Sequence, residues 1–427
     1  MRPRTWVLVL AAVCAVLQLA DVTGRDTPDS KNYVSYALAL GGTGKRQAAA
    51  ETVDWVCAGR ASAARRAQSV DVLRFHAPSP AGRVYADCRS AELRRVTRRL
   101  RAGGAQTDGH IVPFVGPRLR AVFEVRPGYP VFLLPFVTMF GVTWGVWLAS
   151  VLVTVAGGVL VFLVLRTLSV PVPLALTGQA LYYVLPVGTT AMRPMAEGLL
   201  LALTLTAVWG CALALTRRAR TGTALVAGAL LALFTVKHSQ ALFLGAALAG
   251  AGAAVALWRG RHGRAPGRGV VAIAAAGCLA VAGTLLLARL LRYPSETESV
   301  QDLLTNHYAH PDRLRPWREF LHLERNFWVE WLRRQAKEPL FAAALAAGAW
   351  GTWRRPAFGV FLLAAAGTGI LTQAGHPDIT IGGDRLIVLA WLLPVVGVPL
   401  LLEPLAHRTA AVPAQGARAA VGVHPMR

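Results

Sequence analysis

The chain is poor in charge and poorer still in acids. Only 16% of its residues are charged, and 22 Asp and Glu stand against 45 Lys and Arg, a formal net charge of +23. With 54% of its residues hydrophobic, so thinly charged a chain is not an ordinary soluble domain. Cysteine is scarce too: there are five, with no CxxC and no His/Cys spacing of the zinc type, which excludes a structural zinc module. Cys14, Cys211 and Cys278 lie inside apolar runs and read as small hydrophobes. Cys57 and Cys88 lie in polar sequence, compete with no other loop cysteine, and are expected to pair if that sequence faces an oxidising compartment.

What is abundant is apolar sequence in blocks, several near the roughly 20 residues that cross a bilayer. Many are mixtures of Ala, Gly, Leu and Val, as where helices pack closely inside a membrane. The cations cluster at the ends of these blocks: Arg166, Arg217, Arg218, Arg259, Arg261, Arg264, Arg354 and Arg355. That placement fixes orientation in a membrane and accounts for the basicity without a nucleic-acid partner.

The expected fold is an all-α polytopic membrane protein of about ten transmembrane helices, occupying 1–402. Their expected bounds are about 6–20, 142–165, 171–187, 195–216, 222–236, 241–258, 269–291, 339–353, 356–372 and 385–402. The first begins after "MRPR", so its N-terminus reads as cytoplasmic. A cleaved signal peptide is the competing reading, but Gln18 and Ala20 replace the usual small pair, and a retained helix is expected. A long extracytoplasmic loop, 21–129, follows, and a second polar segment covers 293–338. Within the first loop, "SAELRRVTRRLR" (90–101) puts Leu93, Val96 and Leu100 on one side of a basic helix. Such a helix lies on a membrane surface or packs on the loop's own core, and both readings stay open. The tail, 403–427, is basic, rich in Ala, Gly and Pro, and expected to be cytoplasmic and disordered.

Ten spans sort the polar residues. One side receives little but arginine and turn residues. The outer side receives Asp21, Asp26, Asp29, Tyr33, Glu124, Arg126, Tyr129, Arg193, Glu197, Lys237, His238, Gln240, His376, Asp378, Asp384 and Arg385. Mixed acids, bases and aromatics on one face are the material of a site. Each has a plainer reading. Glu197 sits at a helix N-terminus, which favours a carboxylate. Lys237 could snorkel to an interface, and Tyr33 and Tyr129 could be interfacial anchors. The acids of "LADVTGRDTPDSKNYVSYALALGG" (19–42) could be solvated or cap the next helix.

Taken in order, these segments resemble the GT-C superfamily of integral-membrane glycosyltransferases, of the mannosyltransferase and aminoarabinose-transferase type. The resemblance rests on five segments. "PDSKNYVSYALAL" follows helix 1 and holds Asp29, Tyr33 and Ala37. "RPGYPVFLLPFVTMFGVTWGVWLASVLVTVAGGVLVFLVLR" leads into helix 2 and is the nearest match. "TTAMRPMAEGLLLAL" carries Glu197, "ALFTVKHSQALFL" carries Lys237, and "IGGDRLIVLAWLLP" carries Arg385. The departures are that Asp29 follows Pro28 rather than a second acid, that the usual final "RY" is "RL", and that the first loop is unusually long.

The resemblance implies transfer of a sugar from a polyprenyl-phosphate carrier to an envelope acceptor (glycan, lipid or protein) at the outer face of the cell membrane. An inverting transfer needs a carboxylate to take the acceptor's proton and cations to hold the departing phosphate. Asp29 is expected as base, Asp26 as second acid or metal ligand, and Glu124 as reserve, with Asp21 a helix-end residue. Pro28 suits a helix's first turn, which would leave Asp29 near the positive end with Tyr33 one turn on. Arg385, Lys237, Arg126 and Arg193 are expected at the phosphate, Tyr33 and Tyr129 stacked on the sugar, and Glu197, His238, Gln240 and Asp384 beside them. Relatives divide between those using a divalent metal and those using Arg and Lys alone. With Asp26, Asp29 and Glu124 the available carboxylates, a tight magnesium or manganese site is not expected. The runner-up function is a transporter or flippase of a lipid-linked intermediate, which predicts an inverted repeat that the sequence does not display. A membrane scaffold using its basic loop is a third reading, and it leaves the order of motifs unexplained.

Overall fold

The computed structural model of the chain describes residues 2–101, 109–216, 218–378 and 385–410. The described residues form an all-helical membrane protein, with no strand among them. Among the described residues, seven helices are long and apolar enough to cross a bilayer.

The first, α1 (Pro3–Leu17), continues through a 3₁₀ turn, Gln18–Asp21. Trp6, Leu8, Val13 and Leu17 are exposed along it, and only 11% of the span is buried in the protein, which places α1 at the rim of the bundle. Four helices then build the first loop: α2 (Ser30–Leu40), α3 (Lys45–Ser69), α4 (Ala81–Arg101) and α5 (Pro117–Glu124). Pro28 lies two residues before α2 and Asp29 is its N-cap residue, so α2 starts slightly later than the Pro28 signal suggested.

The membrane helices follow. α6 (Gly128–Thr167) breaks at Gly141, whose φ of 70° lies in the left-handed region open to glycine. Its first part folds back on the second, because Gly145 lies against the Phe136 backbone with no room for a Cβ. The part after Gly141 matches the expected helix 142–165. α7 (Val172–Val184) and the short α8 (Pro186–Ala191) lead to α9 (Ala196–Leu215).

α10 (Ala219–Arg261) is 43 residues long, about 65 Å if straight and twice the membrane's hydrocarbon core. It is not straight. Lys237 has an extended backbone (φ −161°, ψ 94°), and the chain reverses there. The contacts require the reversal: Gly222 at the start of α10 and Gly269, eight residues past its end, both press on Ala214. The expected helices 222–236 and 241–258 are thus the two antiparallel halves of α10. α11 (Arg268–Leu290) returns along the second half. α12 (Glu296–Leu304) and α13 (Pro316–Lys337) lie between α11 and the last three helices, α14 (Leu340–Thr352), α15 (Pro356–Ala374) and α16 (Leu392–Ala410). A 3₁₀ turn, Leu386–Trp391, leads into α16.

α7 and α14 have 13 residues each, about 20 Å, short of the roughly 30 Å core. These two short helices, together with the joining of two expected spans in α10, are the reason that seven helices among the described residues, rather than ten, meet the length for a span. The chain stays helical to Ala410, so the basic tail does not begin at 403 as expected; Glu403 is buried and paired to Arg355 at 3.0 Å, which holds this turn onto the bundle. The remainder of the expected tail, 411–427, lies outside the described residues.

Two cores hold the molecule. One fills the membrane bundle, from Val161 through Leu205 and Leu244 to Phe361 and Leu400. The other joins the loop helices to the bundle: Tyr33, Val53, Val56, Val96, Ile111 and Phe123 pack with Tyr129, Leu133, Met195 and Val236. Val96 is buried here and Leu93 and Leu100 lean on the same core, so the 90–101 helix packs on its own loop rather than on a bilayer. Cys57 of α3 and Cys88 of α4 are joined by a disulfide, with Cα atoms 5.6 Å apart.

Helix contacts inside the bundle run through glycines. A Cβ on Gly351 of α14 would collide with Gly397 of α16, and one on Gly397 would collide with Gly348 of α14, so neither glycine has room for a side chain. Gly351→Val should therefore force α14 off α16 and lower stability by about 1–3 kcal/mol. Thermal unfolding followed in detergent checks it, with the open Gly367→Ala as control.

Candidate functional site

Three side chains from distant parts of the sequence meet at the loop end of the bundle. Arg385 donates from Nη2 to Asp29 Oδ2 at 2.5 Å. It also donates from Nε and Nη2 to Glu197 Oε1, at 3.0 and 2.8 Å. The side chains are 14%, 29% and 7% exposed for Arg385, Asp29 and Glu197. Local sequence explains each position. Asp29 caps α2, its carbonyl accepting from Asn32 and Tyr33. Glu197 stands in the first turn of α9, where the helix dipole favours an anion. Arg385 directly precedes the 3₁₀ turn into α16.

One buried guanidinium thus holds two carboxylates. Glu197 Oε2 is buried and has no hydrogen-bond partner among the described residues. Lys237, at the reversal of α10, interacts electrostatically with Glu197, Asp29, Arg126 and Arg385, and so supplies charge to the same cluster. Arg126 and His238 complete its basic side; Arg126 Nε and His238 Nδ1 are buried without hydrogen-bond partners among the described residues. His238 also packs edge-on against Tyr293 at 5.0 Å.

Arg385 is also a wall of a cavity of about 520 Å³. That is room for a polar group of ligand size. The cavity lies between the chain just after α1 and helices α6 to α8. Its polar lining includes Arg25, Asp26, Arg193, Thr154 and Tyr183. Asp29 and Glu197 are not wall residues; they reach the cavity through Arg385. Burial pushes the Asp26 carboxyl above its ordinary value, against the pull of Arg60 and Lys31.

The other expected site residues fall elsewhere. Glu124 ends α5, accepts the His110 backbone N–H at 3.0 Å and ties down the start of that segment. Tyr33 and Tyr129 are both buried and pack edge-to-face at 5.2 Å, closing the floor beneath Asp29 rather than offering faces to a ligand. Gln240 is fully buried between α10 and α15, donating to Thr368 at 2.8 Å and accepting from Thr372 at 2.9 Å, a link between helices. Asp21 ends the α1 turn and pairs with Arg66 at 2.9 Å. Asp384 lies outside the described residues.

Two arginines carry no motif and are seen only in the fold. Arg25 lines the cavity. Arg118 of α5 reaches Glu298 and Asp312 at 2.8 Å each and covers the Tyr308 ring at 4.0 Å, locking the first loop to the 293–338 segment. The basic character of the loop was legible, but which of its arginines meet these partners depends on two segments far apart in the chain.

Asp29 and Glu197 both spend oxygens on Arg385, and no group of three or more His, Cys, Asp and Glu among the described residues has the spacing of a metal site. The arrangement suits an anion on its cationic side and a proton acceptor at Asp29. Comparison of the chain with protein-family models, curated proteins and solved structures found no match.

Removing Arg385 leaves the buried Glu197 without its hydrogen-bonded charge partner. Arg385→Gln should lower stability by about 3–5 kcal/mol, and adding Glu197→Gln should recover much of it. Unfolding curves of the two single variants and the double variant measure this coupling; additive losses would mean that the pair is not coupled.

Proposed function

We propose that the chain is a membrane glycosyltransferase that moves a sugar from a polyprenyl-phosphate carrier to an envelope acceptor. The observation that carries this is the meeting of Asp29, Glu197 and Arg385, separated by 356 and 188 residues from Arg385 in sequence, beside a polar cavity at the end of a membrane bundle. A lipid-borne phosphate arrives at that depth, and a buried arginine matches its geometry through a forked set of donors.

In this reading the acceptor hydroxyl gives its proton to Asp29 while its oxygen attacks the anomeric carbon. The bond from that carbon to the carrier's phosphate oxygen breaks, and the phosphate leaves with the electron pair. Arg385, Arg193 and Arg25 hold the leaving phosphate from the cavity wall, and Lys237 adds charge from behind. Glu197 positions Arg385. Tyr33 and Tyr129 support α2 and so the Asp29 carboxylate. The acceptor is an envelope glycan, lipid or protein.

We propose further that the chain crosses the cell membrane ten times with the site outside. The reversal at Lys237 supports counting α10 as two spans, and α7 and α14 then cross as short helices. Cysteines replacing His110 and His310 should react with an impermeant maleimide applied from outside, whereas those replacing His262 and Arg354 should not. Labelling of the His262 position from outside would break this topology.

The alternative reading, transport of a lipid-linked intermediate, draws on the interrupted α10, since broken helices at a charged residue occur in transporters. Asp29→Asn separates the two. The variant should fold and bind the lipid donor yet lose sugar transfer by about a hundredfold or more. A reconstituted assay with donor binding measured on the same preparation checks this. Full transfer by Asp29→Asn would take the base away from this loop.

A further inference from the structure

The first loop exposes large apolar side chains at one place. Between α3 and α4, Val70, Val72, Leu73 and Phe75 are 80%, 85%, 82% and 62% exposed. The turn is not slack. Gln68 donates from Nε2 to the carbonyls of Arg74, Ala77 and Pro78. Asp71 accepts from the backbone N–H groups of Leu73 and Arg74 and pairs with the Arg74 side chain at 2.8 Å. Interior bonds therefore hold the turn in a shape that points its apolar side chains away from the loop's core.

Its location says what it faces. α3 crosses the end of α1: Gly59 packs against Gly24, and Arg66 pairs with Asp21, the last residue of the α1 span. The apolar turn begins one helical turn beyond Arg66. Because α1 is the least buried of the seven membrane-length helices, the turn overhangs the rim where protein gives way to lipid. Its rim is basic, with Arg65, Arg74 and Arg83 exposed, and its acid, Asp71, is spent inside the turn.

We infer that the 70–76 turn seats in the headgroup region of the bilayer, its apolar side chains in the acyl boundary and its arginines among lipid phosphates. A bilayer is the occupant that matches the depth fixed by Asp21, the apolar tip and the cationic rim together. The seat would press α3, and with it residues 24–26 of the cavity wall, onto the membrane at the cavity's mouth. It holds whatever reaction the cavity serves.

The test is a fluorescent label at the tip of the full chain. Leu73→Cys, with Cys14, Cys211 and Cys278 replaced by alanine, is labelled with an environment-sensitive nitrobenzoxadiazole. The protein is then reconstituted in vesicles of phosphatidylcholine and phosphatidylglycerol. The expected result is blue-shifted emission, quenched by lipids brominated near the top of the acyl chain and shielded from aqueous iodide. Emission that stays water-like and open to iodide would overturn the inference. So would a shift that appears only when a soluble protein extract is added, since the patch would then belong to a protein partner.

Discussion

Arg385 is the constraint on which the rest of the site depends. A single guanidinium, 14% exposed, holds a carboxylate from the start of the chain and another from its middle. In so dry a place an unpaired carboxylate is costly, so α2, α9 and the chain before α16 must meet for any of the three groups to be tolerated. The loop helices are drawn in by the same need. Asp29 caps α2, and α2 is held in turn by Tyr33 on Tyr129 and by Lys31, which approaches the buried Glu92 of α4 at 3.8 Å. Loop and bundle are therefore one structure, joined by a polar triad and an aromatic floor.

The membrane helices set the geometry around that triad. Two of the long runs are interrupted, at Gly141 and Lys237, and both interruptions lie at the loop end. The first folds the Tyr129 segment under α2. The second brings Lys237 to Glu197 and frees backbone at a depth where only a polar cavity or buried protein can receive it. A straight α10 would have carried Lys237 through an unbroken helix and left the cluster without this lysine.

Much of this was legible one residue at a time. Apolar blocks with basic ends gave a helical membrane protein. The polar interruption "KHSQ" marked the reversal within α10, and the glycine before Asp384-Arg385 marked the approach to the last helix. The resemblance put Arg385, Asp29 and Glu197 in one site, but the direct pairing of Arg385 with both carboxylates was not legible, because nothing local specifies a contact 356 residues long. Local pattern also misplaced roles. Gln240 closes the polar stretch "KHSQ" and was expected beside the phosphate, yet it joins two helices by hydrogen bonds. Tyr33 and Tyr129 look like sugar platforms, yet they are buried against each other. The amphipathic 90–101 helix invited a membrane surface, but its apolar face was needed for the loop's own core, and the exposed apolar side chains lie at the 70–76 turn instead.

The central claim is that this triad and cavity act on a lipid-linked sugar by breaking its bond to phosphate. The direct measurement is mass spectrometry of lipid-linked sugars extracted from cells lacking the chain, incubated with the purified protein and an acceptor-containing envelope fraction. The account predicts conversion to free polyprenyl phosphate with the sugar recovered on the acceptor. Lipid-linked sugar that remains intact while the protein binds it would contradict the account.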